Sequence, residues 1–163
     1  MDNYHTILAL LNLFLPLLSF IILILFGKKI GASAHWIALT LIGSTLGIAV
    51  SFFTNVFVNN GQPILETSVR WFSTGSFSVN LGFLINNEAA IMLLVVALIS
   101  FLVHFYSVGY MQGDPRYSRY FAYLGIFTFS MNGIVLADSL LMMYIFWELV
   151  GLSSYLLIGF WFE

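Results

Sequence analysis

Residues 139–162 read SLLMMYIFWELVGLSSYLLIGFWF, an apolar run of membrane-crossing length with one acid, Glu148, about ten residues in. A helix needs roughly 20 apolar residues to cross hydrocarbon, and at ~1.5 Å per residue this run carries Glu148 close to the midplane. An acid at that depth costs roughly 2.5–3.5 kcal/mol on insertion scales, so it is seldom there without a partner or a wet cavity. Similar runs recur at about 6–26, 34–58, 89–110 and 120–137, which predicts an all-α membrane protein of five transmembrane helices. The whole chain, 1–163, reads as one membrane domain.

Composition agrees. Of the 163 residues 61% are hydrophobic and 7% charged, with a mean hydropathy of +1.00, whereas a soluble domain carries roughly 25% charged residues. There is no cysteine, and His5, His35 and His104 lack ligand spacing, so no metal site is predicted. A net charge of −2 without a basic patch argues against nucleic acid. The start, Met1 to His5, has neither Lys nor Arg, unlike a cleaved secretory signal, so the first run is expected to stay in the membrane.

The remaining charges fall between the runs. Lys28, Lys29, Arg116 and Arg119 share one side and Arg70 stands alone on the other, so the positive-inside bias predicts an outside N-terminus and an inside C-terminal end of the fifth helix. The connection 59–88 would then lie outside. In it Phe77, Val79, Leu81, Phe83 and Ile85 alternate with Ser76, Ser78, Asn80, Gly82 and Leu84, the period of a strand. A partner strand through Val69–Phe72, with Ser73, Thr74 and Gly75 as the turn, predicts a β-hairpin at the outer surface between helices 2 and 3. Either it packs on its own helix ends or its edge pairs with a neighbouring subunit.

Chemistry centres on Glu148. Desolvation raises a carboxyl's affinity for its proton and a nearby cation lowers it, so a cation that approaches or retreats makes such a group release or take up a proton. Tyr144, Glu148, Gly151 and Tyr155 form one helical stripe, with Ser153 and Ser154 beside it. Tyr144, Tyr155 and Ser154 are candidates for a proton path. The plainer reading of the serines is a bond to a carbonyl one turn back. His104 is either a further station, since its charge changes near neutral pH, or an interfacial histidine within an aromatic belt. His35 and Trp36 read as interfacial anchors. Asp138, just ahead of the fifth helix, reads as an N-cap or other structural group, and Arg119 as an anchoring charge that pairs with Asp114.

The stretch Phe146–Trp161 resembles the fifth transmembrane helix of the large antiporter-like subunit of proton-pumping NADH:quinone oxidoreductase, subunit L or chain 5 of respiratory complex I. Further resemblance runs through His104-Phe105-Tyr106-Ser107, Gly109-Tyr110-Met111, Tyr117 to Tyr123, and Leu136-Ala137-Asp138. It departs at Leu149, where glycine is expected, at Ser139 for asparagine and at Ser153 for cysteine. The resemblance implies that the chain is the N-terminal five-helix portion of a longer subunit, in which Glu148 transfers protons opposite a lysine on a later helix. No lysine follows Lys29 here, so that partner is not in this sequence.

By the same resemblance the protein serves an oxidoreductase as a membrane subunit and is not catalytic alone. NADH, FMN, iron–sulfur clusters and quinone are expected in other subunits, and no cofactor in this chain. Its partners would be lipid and other membrane subunits, including neighbouring antiporter-like ones. Its place would be the bacterial inner membrane or the mitochondrial inner membrane. Two alternatives stay open, the large subunit of a multisubunit cation/proton antiporter and a non-transporting membrane assembly element.

Overall fold

The computed structural model describes residues 2–58, 63–74 and 77–161. Helix α1 (Asp2–Ile30) turns through Gly31–Ser33 into α2 (Ala34–Val58). The strands β1 (Leu65–Thr74) and β2 (Phe77–Ile85) follow, then α3 (Asn87–Tyr110), α4 (Tyr117–Leu136) and α5 (Leu140–Ile158), which ends in a 3₁₀ turn, Gly159–Trp161. Gly31 makes the α1–α2 turn at φ +58°, a left-handed conformation that a side chain resists. Asn86 caps α3 by accepting from the Ala89 N–H at 2.9 Å.

The helices run alternately up and down. Gly27 of α1 lies against Ser118 of α4, Tyr117 is bonded to His35 of α2 at 3.1 Å, and Trp161 reaches Asp114 beyond the end of α3, so five helix ends meet on one side. The hairpin and the other ends occupy the opposite side, where Phe83 bridges to Ala137. Among the described residues, three stretches are long and apolar enough to cross a membrane: Tyr4–Val58, which holds α1 and α2, Asn87–Tyr110 and Leu140–Trp161. Helix α4 is not among them, although the sequence reading placed a span at 120–137. It packs against α1, α2, α3 and α5. A helix surrounded by others needs less apolar surface than one facing lipid, and α4 accordingly carries Thr128, Ser130 and Asn132 buried.

Small residues let the backbones approach. A Cβ on Gly125 of α4 would lie 3.0 Å from the Pro16 carbonyl of α1, and one on Gly133 would run into the ring of Phe146 from α5. Two apolar clusters result. The larger, on the hairpin side, includes Leu13, Phe52, Leu65, Ile85, Leu93, Leu136 and Phe146. The smaller, toward the other end, is Leu23, Ala34, Ala38, Phe121 and Ala122.

Several sequence expectations are corrected here. Helix α1 continues past residue 26 to Ile30, taking Lys28 and Lys29 into its last turn, where the helix dipole favours cations. β1 begins at Leu65 rather than Val69. It pairs antiparallel from Leu65↔Ile85 to Thr74↔Phe77, with an irregularity between Arg70 and Phe72 that interrupts the alternation in the sequence. Ser73 and Thr74 are therefore strand, not turn, and Gly75 lies outside the described residues.

Asp138 is not the cap of α5. Ser139 is, its hydroxyl accepting from the Met142 N–H at 3.4 Å, while Asp138 turns away to bond the hairpin. Nor does Asp114 take Arg119. Its carboxylate accepts from the Arg116 N–H at 2.7 Å and the Trp161 indole N–H at 3.0 Å, two donors already fixed beside it.

Candidate functional site in the membrane helices

Helix α5 is apolar around most of its circumference, so its own period does not say which face turns inward. Its neighbours decide. Met142, Phe146, Leu149 and Ser153, spaced four, three and four residues apart, turn toward α4, with Phe146 edge-on to Phe129 at 5.4 Å between ring centres. Ser153 donates to the Val150 carbonyl at 3.0 Å, the plain backbone role.

The opposite face is Tyr144, Glu148, Gly151 and Tyr155, all exposed in this chain. Glu148 thus stands mid-helix on the outward side of α5. Tyr144, one turn earlier, is in electrostatic contact with its carboxylate. Both lysines, Lys28 and Lys29, sit in the last turn of α1. The stripe read from the sequence is one face, and its chemistry is that of an acid and a phenol open to whatever packs there.

Of the other candidates, Tyr155 borders a cavity of about 250 Å³ together with Arg116, Arg119 and Tyr123. Ser154 is half-buried beside it. His104 is elsewhere. It lies on α3 facing α4, 1% exposed, its Nδ1 2.8 Å from the Ser100 carbonyl and its ring 6.0 Å from that of Phe121. His104 is thus enclosed within the bundle, whereas Glu148 faces out of it.

A second polar group was passed over in the sequence. Asn12 of α1 donates to the Thr45 carbonyl of α2 at 3.1 Å, and Asn132 of α4 donates to the Asn12 carbonyl, also at 3.1 Å. The hydroxyls of Ser100 and Thr128 join α3 to α4 at 2.5 Å, with the Thr128 hydroxyl donating a hydrogen bond to the Leu124 carbonyl. Asn12, Thr45, Thr128 and Asn132 are fully buried. The available signal was an amide inside an apolar helix, which is costly unless bonded.

Comparison with known proteins adds the following. Residues 71–121 match the family described as NADH-Ubiquinone oxidoreductase (complex I), chain 5 N-terminus, and residues 137–163 match that described as NADH:quinone oxidoreductase/Mrp antiporter, TM. NAD(P)H-quinone oxidoreductase subunit 5, organellar chromatophore 1, of Paulinella chromatophora is 43% identical over 142 residues, 86% of this chain and 21% of its own length. NADH-ubiquinone oxidoreductase chain 5 of Hypocrea jecorina is 42% identical over 150 residues, 91% of this chain and 21% of its own. The chain thus spans about a fifth of the length of these relatives. A chain of the membrane-bound sulfane sulfur reductase, an archaeal respiratory membrane complex, shares the fold with a TM-score of 0.73 at 20% identity, covering 90% of this chain and 29% of that one.

Proposed function

Since the chain belongs, through its two matched segments, to the antiporter-like chain 5 family of quinone oxidoreductases, we propose that it is part of a proton-translocating membrane subunit of a redox-driven complex. In this reading Glu148 is the proton-transferring group. The observation that carries it is the position of Glu148, an acid halfway along an apolar helix on the face turned away from its own bundle. Such a carboxylate is stable in a bilayer only when another protein surface or water covers it, and a basic group on that surface sets its proton affinity. The relatives are about five times as long, which leaves room in such a protein for helices that pack there.

All five helices cross the bilayer in this reading, α4 by virtue of its place among the other four. The end that gathers Lys28, Lys29, Arg116 and Arg119 faces the inside, and the hairpin faces outside. The membrane is a bacterial inner or mitochondrial inner one. In this reading the redox groups, namely NADH, FMN, iron–sulfur clusters and quinone, belong to other subunits. The second matched segment is described jointly for quinone oxidoreductases and Mrp antiporters, which favours a cation/proton antiporter as the second reading.

Glu148→Gln in the complete assembly tests the proposal. Pumping per electron is expected to fall about tenfold or more while membrane content and electron transfer stay near normal. Unchanged pumping would defeat the transport role, and loss of the assembly itself would make Glu148 a structural group. Sodium-dependent exchange without any redox partner would favour the antiporter.

A further inference from the structure

A cavity of about 550 Å³ lies at the end of the bundle where the cations gather, between the last turn of α1, the α1–α2 turn and the connection from α3 to α4. Its size falls within the ~300–1,000 Å³ of small-molecule sites. Two glycines shape it. A Cβ on Gly27 would lie 2.6 Å from Ser118 Oγ, so the last turn of α1 rests directly on the start of α4, and Lys28, the next residue, borders the cavity. Gly31, at φ +58°, then reverses the chain and brings His35 of α2 into the same wall.

The polar part of this wall suits an anion. Lys28 brings an ammonium and Gln112 an amide, both exposed. Tyr117 supplies a hydroxyl proton for a reason set by its neighbour. The Ala32 carbonyl, 2.8 Å from His35 Nδ1, can only accept, so Nδ1 carries the ring proton. The Tyr117 oxygen, 3.1 Å from the same nitrogen, therefore accepts there and keeps its own proton to give. The acid on the wall, Asp114, is already engaged, since its oxygens accept from the Arg116 and Trp161 N–H groups and the Arg116 charge answers its own. Among the described residues Lys28, Lys29, Arg116 and Arg119 stand at this end against that single carboxylate. The place says which anion. In a bundle that crosses a membrane the helix ends lie at the level of the lipid headgroups, and Trp36, 66% exposed beside His35, is the kind of side chain that prefers this level.

We propose that this cavity binds the phosphate of an anionic phospholipid, with the Lys28 ammonium, the Gln112 amide and the Tyr117 hydroxyl as donors to its oxygens. Val108, on the membrane side of the wall, is the apolar surface along which the glycerol and acyl chains leave toward hydrocarbon. A phosphate held there ties the α1–α2 turn to the α3–α4 connection. The site is separate from Glu148, which lies mid-helix on the outward face of α5. It rests on the chain spanning a membrane and not on proton transport.

The intact complex in nanodiscs, given a trace of phosphatidylglycerol with a photoreactive acyl chain, tests this. Label is expected on the peptide that holds Val108, and phosphatidylcholine with the same chain should label it several times less. Lys28→Gln should lower the labelling about tenfold at unchanged complex content, while Lys28→Arg keeps it. Tyr117→Phe keeps the ring that packs on Phe121 and removes only the hydroxyl, so it should lower the labelling about threefold, and it decides the matter if the lysine variant fails to assemble. Full labelling in Lys28→Gln or in Tyr117→Phe, or equal labelling by the two lipids, would overturn the proposal. Displacement of the probe by millimolar inorganic phosphate would assign the cavity to free phosphate and overturn the lipid. A map of the complex with a protein segment seated against Lys28 and Tyr117 would overturn it as well.

Discussion

Asp138 and Gly82, 56 residues apart, clasp each other through two hydrogen bonds. The Gly82 N–H donates to the Asp138 carboxylate at 2.9 Å, and the Asp138 N–H donates to the Gly82 carbonyl at 3.3 Å. The α4–α5 connection thereby adds itself to the edge of β2, next to the Phe83–Ala137 bridge. This fastens the hairpin to its own helix ends. The exposed side of β1, with Val69 at 70% and Trp71 at 64% exposure, is left for other contacts.

Asp138→Ala leaves the Gly82 N–H without its acceptor and should weaken hairpin docking by about 1–3 kcal/mol, the cost of an unsatisfied buried donor. Hydrogen exchange at Gly82 reads this directly. Exchange as slow as in the wild type would show that the clasp does not hold the hairpin. Gly82→Ala should act the same way, because a Cβ there runs into the Thr67 carbonyl and the Asp138 carboxylate.

Gly133→Ala places a methyl group where the Phe146 ring lies and should cost about 1–3 kcal/mol by overpacking the α4–α5 contact. Phe146→Leu added to it should recover part of that loss, since the smaller side chain frees the space. Thermal midpoints of the four proteins in one detergent check it. Purely additive losses would place the strain elsewhere.

The Trp161 indole N–H holds the Asp114 carboxyl below the ordinary carboxylate range, opposed by desolvation and helped by the Arg116 backbone N–H and the Arg116 charge. A depressed folded pKa means that this contact adds stability above the unfolded value of ~3.9, and that the gain disappears as pH falls through the folded pKa. The Trp161 indole proton resonance should therefore titrate with a midpoint below that value. A midpoint at or above it would contradict the assignment. Trp161→Phe should move the Asp114 midpoint upward.

Cysteine introduced at Val69 should react with an impermeant reagent applied from outside, and cysteine at Ser33 only from inside. Both are exposed and lie at opposite ends of the bundle. The reverse labelling pattern would invert the proposed topology.

Much of the fold was legible because each helix announces itself over consecutive residues. Apolar runs placed α2 at its observed bounds, and the two-residue alternation from Phe77 to Ile85 placed β2. β1 was half seen, since the irregularity at Trp71 breaks its period. The helical period also put Tyr144, Glu148, Gly151 and Tyr155 on one face of α5.

By itself the sequence determined the helices, the place of Glu148 halfway along α5 and the end of the bundle at which the charges gather, since these depend on local periodicity and on the cost of burying charge. Only the tertiary structure decided that Glu148 faces away from the bundle, that Asp138 holds a glycine rather than a helix end, and that Asn12 meets Asn132 across 120 residues of chain. The reason is that a helix apolar around most of its circumference has no preferred side. Which side turns inward, and which buried amide finds which carbonyl, is set by close packing at glycines such as Gly125 and Gly133, and that packing exists only once distant segments have come together.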